Sequence, residues 1–328
     1  MKNILTISLL AIISSVLLST GVTQVQAATT VNKFQITNTS FQENVPLIFK
    51  DLVVYRRHSS PDVNIYGYNL KTKQEFPLVL RTGQDSPVAL SGKYLIYNEE
   101  NISDPTDTDV RALNLQTKED FLIAGGTGYQ TAGALMGNNV AYIEGYNCGE
   151  LFIYNIKKKS RFDTGQNACN PFHSSGKVLV WSDWNNHGVY SYNIKTRTYK
   201  VLVDSNGFYN TTPNIYHDTI VWVKYDNSNN YSIYEKDINS GKETMIKSLS
   251  TSILSWPAIS DNFIAWVDNE GVGAHDIFVY NRKTKDIVQV SNDGAQQPSP
   301  SIPDIYGDTA VWMSWVTGNG DIYGATFK

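Results

Sequence analysis

One pattern of apolar and polar positions repeats along most of the chain. A continuously apolar run that ends in an aromatic residue is followed by a polar stretch, and then by a run of the type Ile-Tyr-x-Tyr-Asn in which apolar and polar residues alternate. Successive apolar runs place their aromatic ends 39 to 46 residues apart. These aromatic ends, called anchor residues below, are Tyr55, Tyr97, Tyr142, Trp181, Trp222, Trp266 and Trp312.

Each repeat is predicted to contain four short strands. In the fourth repeat they are Phe172–Ser174, Val178–Trp181, Val189–Tyr192 and Tyr199–Val203. The second strand is apolar throughout, as expected where neighbouring sheets cover both of its faces. A period of ~40–50 residues built from strand signals alone predicts an all-β fold, a seven-bladed β-propeller with one four-stranded antiparallel blade per repeat.

The seventh repeat, which ends at Lys328, contains no fourth strand of its own. The alternating segment Lys33–Thr37 precedes the first inner strand, near Leu47–Phe49, and is a candidate for the missing strand. We expect it to complete the last blade and close the ring, because an open ring leaves two unpaired sheet edges. Residues 28–328 then form a single propeller domain.

Residues 1–27 have the features of a secretion signal. Lys2 precedes the apolar run Leu5–Leu18, and Val25-Gln26-Ala27 is a small-x-small cleavage site. The run is shorter than the ~20 apolar residues that a membrane-spanning helix needs. We expect cleavage before Ala28, export to the periplasm or the medium, and no membrane span.

Charge narrows the classes of partner. The formal net charge is −4, and loss of Lys2 with the signal makes it −5. A mildly acidic chain lacks the basic stripe that nucleic-acid binding requires. The sequence indicates no cofactor, and we expect a monomer.

The chain contains two cysteines, Cys148 and Cys169. In the predicted repeat, Cys148 lies between the second and third strands, and Cys169 follows the fourth strand. These two kinds of connection emerge on the same face of a propeller, called the top face below. In an oxidising compartment this favours a Cys148–Cys169 disulfide over two unrelated thiols.

Aromatic residues on the top face are the first candidate binding residues. Trp184, Tyr225 and Trp315 each lie three positions after an anchor, and Trp256 begins a connection between blades. Exposed aromatic rings with polar neighbours suit stacking on sugars or clamping of a peptide. Packing beneath the loops is the alternative for each ring taken singly.

A second candidate set lies three residues before a proline or glycine in the connections between blades. Its amide members are Gln84, Gln130, Asn210 and Gln297, and Glu43 occupies the same position in the first repeat. A ring of such groups at the channel mouth can hold a small polar ligand. The alternative is that these side chains hydrogen-bond the loop backbone.

Catalytic and metal-binding patterns are weak. His58, His187 and His275 fall in loops of separate repeats, and we interpret them as surface residues rather than as ligands of one metal. There is no Cys-x-x-Cys, Gly-x-Ser-x-Gly or His-Glu-x-x-His. We therefore expect no metal site, and the sequence identifies no catalytic residue.

The segments IAWVDNEGVGAHDIFVYNRKTKDIVQVS at 264–291 and VWMSWVTGNGDIYGAT at 311–326 resemble the TolB-type β-propeller repeat. The resemblance implies a secreted or envelope-associated propeller. Only residues 28–46 separate the cleavage site from the first inner strand, so we expect no counterpart of the N-terminal domain of TolB.

Two functions follow as hypotheses. The first is a non-enzymatic propeller that binds a polysaccharide, a peptide or an envelope protein on its top face. The second is a polysaccharide lyase or glycosidase similar to the oligogalacturonate lyases, which hold a metal with His and Gln above the channel. Convergence of His173 or His275 with Gln84, Gln130 or Gln297 would favour the enzyme.

Overall fold

The computed structural model describes residues 28–101, 103–250, 254–268, 275–292 and 302–328. Within these residues all regular secondary structure is β-strand. The predicted signal segment 1–27 and Gln297 lie outside them. None of the described residues belongs to a helix long and apolar enough to cross a bilayer.

The strands follow one another with short connections. In chain order the first fourteen are β1 (Val31–Gln35), β2 (Gln42–Phe49), β3 (Leu52–Ser59), β4 (Asp62–Asn69), β5 (Gln74–Val79), β6 (Gln84–Leu90), β7 (Tyr94–Asn101), β8 (Asp104–Asn114), β9 (Asp120–Ala124), β10 (Gln130–Met136), β11 (Asn139–Glu144), β12 (Cys148–Asn155), β13 (Ser160–Cys169) and β14 (Phe172–Ser175). The others are β15 (Val178–Ser182), β16 (Val189–Asn193), β17 (Thr198–Val203), β18 (Tyr209–Tyr216), β19 (Thr219–Tyr225), β20 (Asn230–Asp237), β21 (Glu243–Ser250), β22 (Leu254–Ile259), β23 (Phe263–Asp268), β24 (Asp276–Asn281), β25 (Ile287–Gln289), β26 (Asp304–Tyr306), β27 (Thr309–Ser314) and β28 (Asp321–Phe327).

Four-stranded antiparallel sheets are the building block. β10–β13, β14–β17, β18–β21 and β22–β25 each form one such sheet in chain order. β2–β9 form an eight-stranded sheet, whose halves β2–β5 and β6–β9 are joined by a single parallel bridge between Val63 and Gln84. Both halves repeat the four-stranded order of the other sheets.

The last sheet combines distant parts of the chain. Its strand order is β1-β28-β27-β26, and β1 pairs antiparallel with β28 from Val31 opposite Phe327 to Gln35 opposite Tyr323. The pairing predicted for the segment beginning at Lys33 is therefore confirmed, although the strand starts and ends two residues earlier.

Anchor residues occupy the second strand of each four-stranded group, and all are at most 1% exposed. Five of them stack on the aromatic residue opposite on the third strand, with ring centroids 5.5 to 6.5 Å apart. Such pairs contribute ~0.5–1.5 kcal/mol each beyond the area they bury. The stacked pairs are Tyr142–Phe152, Trp181–Tyr190, Trp222–Tyr234, Trp266–Phe278 and Trp312–Tyr323.

Polar atoms of the anchors need partners because the rings are buried. The Tyr97 hydroxyl donates to Asp120 Oδ2 at 2.7 Å on the outer strand. Burial and this hydrogen bond hold the pKa of the Tyr97 phenol above its ordinary range. Trp222 Nε1 instead donates to Asn210 Oδ1 at 3.0 Å on the inner strand.

The core is distributed between neighbouring sheets. Buried clusters join each group to the next, as where Phe172 and Trp181 pack with Ile143 and Ile153 of the preceding sheet. One cluster joins residues of β1, β27 and β28 to residues of β2 and β3. Each sheet is therefore covered on both faces, which explains the uninterrupted apolar second strands.

Polar stretches predicted as loops between second and third strands are partly strand. β7 and β8 continue into the acidic segment, where Glu100 pairs with Thr108 and Asn101 with Asp104. Extension of the hairpin pairs backbone N–H and C=O groups that a loop would leave to water. Sequence polarity alone does not report this pairing.

The predicted disulfide is present. Cys148 and Cys169 are bonded, with a sequence separation of 21. They also face each other directly across β12 and β13, so they form a cross-strand pair rather than a link between two loops.

Deletion of Val31–Gln35 is expected to destabilise the protein by ~3 kcal/mol or more. It removes Phe34, which packs against the cluster shared by β27 and β3, and unpairs β28. Chemical denaturation measures the change. The matched control is Lys33→Ala, an exposed substitution in the same strand; equal stability of the deletion variant and the control would contradict the prediction.

The double variant Cys148→Ser with Cys169→Ser is expected to lose about 3 kcal/mol of unfolding free energy in the chain-entropy model. The bond closes a loop with a sequence separation of 21 between strands already held by backbone pairing. Thermal unfolding of the variant and of oxidised and reduced wild type provides the measurement. An unchanged melting temperature in both comparisons would show that backbone pairing alone holds this hairpin.

Candidate functional site

A polar cavity of about 450 Å³ opens on the top face. Four successive four-stranded groups contribute to it, because the starts of first strands and the connections after second strands meet there. Its lining residues are Arg56, Gln84, Ser86, Asn98, Glu100, Pro105, Thr108, Tyr129, Thr131, Tyr146, Asn147 and Asn170.

Two tyrosines form the aromatic part of this polar cavity. Tyr129 and Tyr146 have ring centroids 4.7 Å apart at an interplanar angle of 55°. Tyr146 is 63% exposed, and the Tyr129 carbonyl accepts a hydrogen bond from Gly145 N at 2.9 Å. That bond holds the turn carrying Tyr146 against the connection carrying Tyr129, so one ring is presented to solvent beside the cavity.

Arg56 supplies the positive charge of the polar cavity. Its Nε is buried and has no hydrogen-bond partner among the described residues. Desolvation lowers the pKa of the guanidinium, and the charges of Glu100 and Asp85 oppose that effect. The guanidinium remains protonated near neutral pH, with unused donor capacity next to a carboxylate.

The amide positions predicted from the repeat have different surroundings. Gln84 lines the polar cavity. Gln130 is buried, and its Oε1 has no partner among the described residues. Asn210 accepts a hydrogen bond from the Trp222 indole and donates to the His187 carbonyl at 2.9 Å, so it supports the surrounding backbone and core rather than facing a ligand site. Glu43, bonded to Arg57 Nε at 2.7 Å, is likewise part of the scaffold.

The four predicted aromatic residues do not form one cluster. Trp184 is 53% exposed on its turn. Trp315 is half-buried against the cluster that joins β3, β27 and β28. Trp256 lies within β22 and lines a cavity in the middle of the molecule, so its expected place in a top-face connection is corrected.

Tyr225 belongs to a stack on the top face. Its ring lies 4.8 Å from that of Tyr209 and 4.9 Å from that of Tyr231, and the three rings are nearly parallel. The His187 ring also contacts Tyr209, with centroids 4.3 Å apart at an interplanar angle of 59°. The repeat pattern pointed to Tyr225 but not to this neighbourhood.

Other lining residues of the polar cavity were missed by the sequence analysis. Arg56 and Glu100 follow the apolar runs of second strands, and Asn170 lies just before a first strand; the repeat pattern singles out none of these positions. The one available signal is that Arg56 and Arg57 end the apolar run directly after the anchor Tyr55. Charged residues in such a position need oppositely charged or hydrogen-bonding partners if they are buried.

A second cavity, the central cavity, has a volume of about 290 Å³. The first strands of every four-stranded group line it, mostly with apolar side chains and a recurring proline. The lining prolines are Pro46, Pro87, Pro171, Pro257 and Pro303.

First strands bulge where they line the central cavity. The pairing register shifts between Asn44 and Leu47, and equivalent shifts occur in β18 and β22. Val45, Thr212 and Trp256 at these bulges have φ values of 50°, 48° and 55°. Each such conformation costs about 1–3 kcal/mol in a residue with a Cβ, and such strain is concentrated at ligand sites.

Two titratable groups, His173 and Asp304, line the central cavity. Desolvation lowers the pKa of His173 to about 4, so the imidazole is neutral near pH 7. Desolvation raises the pKa of Asp304 to about 6, although backbone N–H groups of Ile48 and Ile305 donate to its carboxylate at 2.7 and 2.9 Å.

No protein-family model matches the sequence. No curated protein sequence matches it either. Among solved structures, an oligogalacturonate lyase in complex with manganese is 12% identical with a TM-score of 0.67, over 92% of this chain and 97% of that chain. The β-propeller domain of the Trilobed protease from Pyrococcus furiosus is 12% identical, with a TM-score of 0.65 over 89% and 96%. TolB from Acinetobacter baumannii is 15% identical, with a TM-score of 0.58 over 78% and 66%.

The chain has a TolB-like β-propeller fold. At these identities the likeness concerns the fold alone, and one fold hosts many functions.

That lyase is in complex with manganese, so it matters whether the described residues of this chain could hold such an ion. Among the described residues of this chain, no three His, Cys, Asp or Glu side chains are grouped as metal ligands. His173 lines the central cavity and Gln84 the polar cavity, and neither of these cavities is lined by both residues. The described residues therefore contain no ready-made group of His and carboxylate ligands for such a metal, and Gln297 lies outside them.

His173 is expected to make stability depend on pH. Its pKa is about 4 in the folded protein and 6.5 ordinarily, so the unfolded chain binds a proton first and stability falls as pH decreases from 6.5 towards 4. Melting temperatures at pH 7 and 4.5 should therefore differ less in His173→Leu than in wild type. His217→Leu, in an exposed turn, is the control; an equal drop in all three proteins would contradict the prediction.

Proposed function

We propose that this chain is an exported, non-enzymatic binding protein that holds an oligosaccharide in the polar cavity of its top face. The scaffold is a seven-bladed propeller closed by β1. The observation that carries the proposal is the combination of an exposed Tyr146 ring with the amide and charged groups of Gln84, Asn147 and Arg56 around one cavity.

The chemistry of this cavity suits a sugar. A pyranose ring presents apolar C–H groups on one face and hydroxyl groups at its edge. An exposed tyrosine ring packs on the C–H face, while amide, carboxylate and guanidinium groups form hydrogen bonds with the hydroxyl groups. The opposite charges of Arg56 and Glu100 in one cavity favour a neutral sugar over a strongly anionic one.

Export is part of the proposal. The small-x-small pattern before Ala28 supports cleavage there. The Cys148–Cys169 disulfide is consistent with an oxidising compartment outside the cytosol.

Binding of oligosaccharides on a glycan array, followed by calorimetry, tests the proposal with protein whose intact mass shows the start at Ala28. We expect Tyr146→Ala to weaken binding by ~1–3 kcal/mol, as loss of an aromatic anchor does, and Gln84→Ala to weaken it to a smaller extent. Melting temperature should change little because Tyr146 is mostly exposed.

Trp184→Ala is the matched control, since Trp184 is an exposed top-face aromatic residue outside the polar cavity. Loss of binding in this variant alone would show that the ligand binds at the loop of Trp184 and not in the polar cavity. Binding of peptides without binding of glycans would show that the ligand is a peptide and not an oligosaccharide. Shortened saccharide products would establish the enzyme hypothesis instead.

A further inference from the structure

Three polar side chains lie at one level of the central cavity. In every four-stranded group, one first-strand residue pairs with the residue that precedes the anchor. Four of these positions are apolar, and the other three carry an imidazole, an amide and a carboxylate. In chain order the positions are Leu47, Ala89, Ala134, His173, Asn214, Ala258 and Asp304.

The three polar residues line the central cavity and also a cavity of about 220 Å³ that adjoins it. Because the three residues occupy equivalent register positions and line the same two cavities, they surround one space. The first strands elsewhere at this level are apolar, so His173, Asn214 and Asp304 make a polar patch on an apolar wall.

Each of these side chains keeps hydrogen-bonding capacity that the fold does not use. The His173 ring makes no hydrogen bond to any described residue, and desolvation keeps it neutral, with one nitrogen free to accept. Asn214 Oδ1 accepts from Ile215 N at 2.7 Å and retains a second lone pair. Asp304 accepts two backbone N–H groups and has further lone pairs.

The charge of the patch is not balanced from within the cavity. Besides Asp304, the titratable side chains that line the two adjoining cavities are His173 and Tyr306, and neither supplies a positive charge near neutral pH. A carboxylate in a largely apolar enclosure gains most from a cation that brings its own hydrogen-bond donors.

We propose that the central cavity binds a small organic ammonium ion with an apolar body, its N–H groups donating to Asp304, Asn214 and neutral His173. The apolar body packs on the proline-lined wall, near Trp256. The volume of about 290 Å³ lies just below the ~300–1,000 Å³ range of drug-sized ligand pockets, which suits a small ligand. The central cavity shares Asn98, Thr131 and Asn170 with the polar cavity. His173, Asn214 and Asp304 do not line the polar cavity, so different variants test this proposal and the sugar-binding proposal.

Calorimetry with benzylammonium and hexylammonium, and with benzyl alcohol as an uncharged analogue, tests the proposal on the purified protein. We expect a Kd tighter than about 1 mM for at least one ammonium ion and at least about 10-fold weaker binding of the alcohol. Affinity should fall about 10-fold from pH 7.5 to pH 5, because the carboxylate with a pKa of about 6 becomes protonated.

Variants separate this site from general attraction of cations. Asp304→Asn should weaken ammonium binding at least about 10-fold and remove the pH dependence below neutrality. Asp308→Asn removes the same charge from an exposed turn of the same sheet, and it should bind as wild type. His173→Leu should weaken binding while the protein stays folded, because His173 makes no hydrogen bond within the described chain.

Binding of neither ammonium ion at millimolar concentration would overturn the proposal, as would equal binding of the alcohol. Equal loss of affinity in Asp308→Asn and Asp304→Asn would reduce the effect to net charge and also overturn it. Should Asp304→Asn fail to fold, as judged by circular dichroism, His173→Leu decides: unchanged affinity rejects the site, and weakened affinity supports it.

Discussion

The contact between a buried anchor on the second strand and the residue opposite it on the third strand organises every sheet. Where both are aromatic, as with Trp222 and Tyr234, the rings stack across the strand pair with centroids 5.5 Å apart. A large ring in this place fixes the register, because a shift by one residue would turn it to the other face of the sheet. It also sets how closely the next sheet can approach, since the clusters between sheets are built around these rings.

First strands carry no anchor residue and are free of that constraint, and residues of first strands line both candidate sites. Apart from the single bridge between Val63 and Gln84, their inner edges pair with no other described strand, so bulges and prolines are tolerated there. The bulges turn residues such as Val45 and Trp256 towards the middle of the molecule at a cost in backbone strain. At the top face the same strands begin beside the loops, and Gln84 at the start of β6 lines the polar cavity there.

The two cavities have opposite character for a physical reason. The polar cavity lies where loops meet water, so charged residues such as Arg56 and Glu100 remain partly solvated. The central cavity is enclosed by strands that must also pack, and most of its wall is apolar. A lone carboxylate such as Asp304 therefore has far greater electrostatic influence in the central cavity than one near bulk water has. Function in such a fold depends on these local surroundings rather than on the sheet architecture.

Repeat spacing by itself predicted an all-β propeller, the anchors, the pairing of the segment near Lys33 and the disulfide. These follow from short-range rules, since alternation, turn residues and a fixed period specify strands without knowledge of neighbours. The sequence could not separate Asn210, which supports the Trp222 indole, from Gln84, which lines a cavity, because both have the same local pattern. It could not show that Trp184 is exposed while Trp315 packs, or that His173, Asn214 and Asp304 share one level. Those distinctions depend on contacts between residues far apart in the chain, and only the tertiary structure decides them.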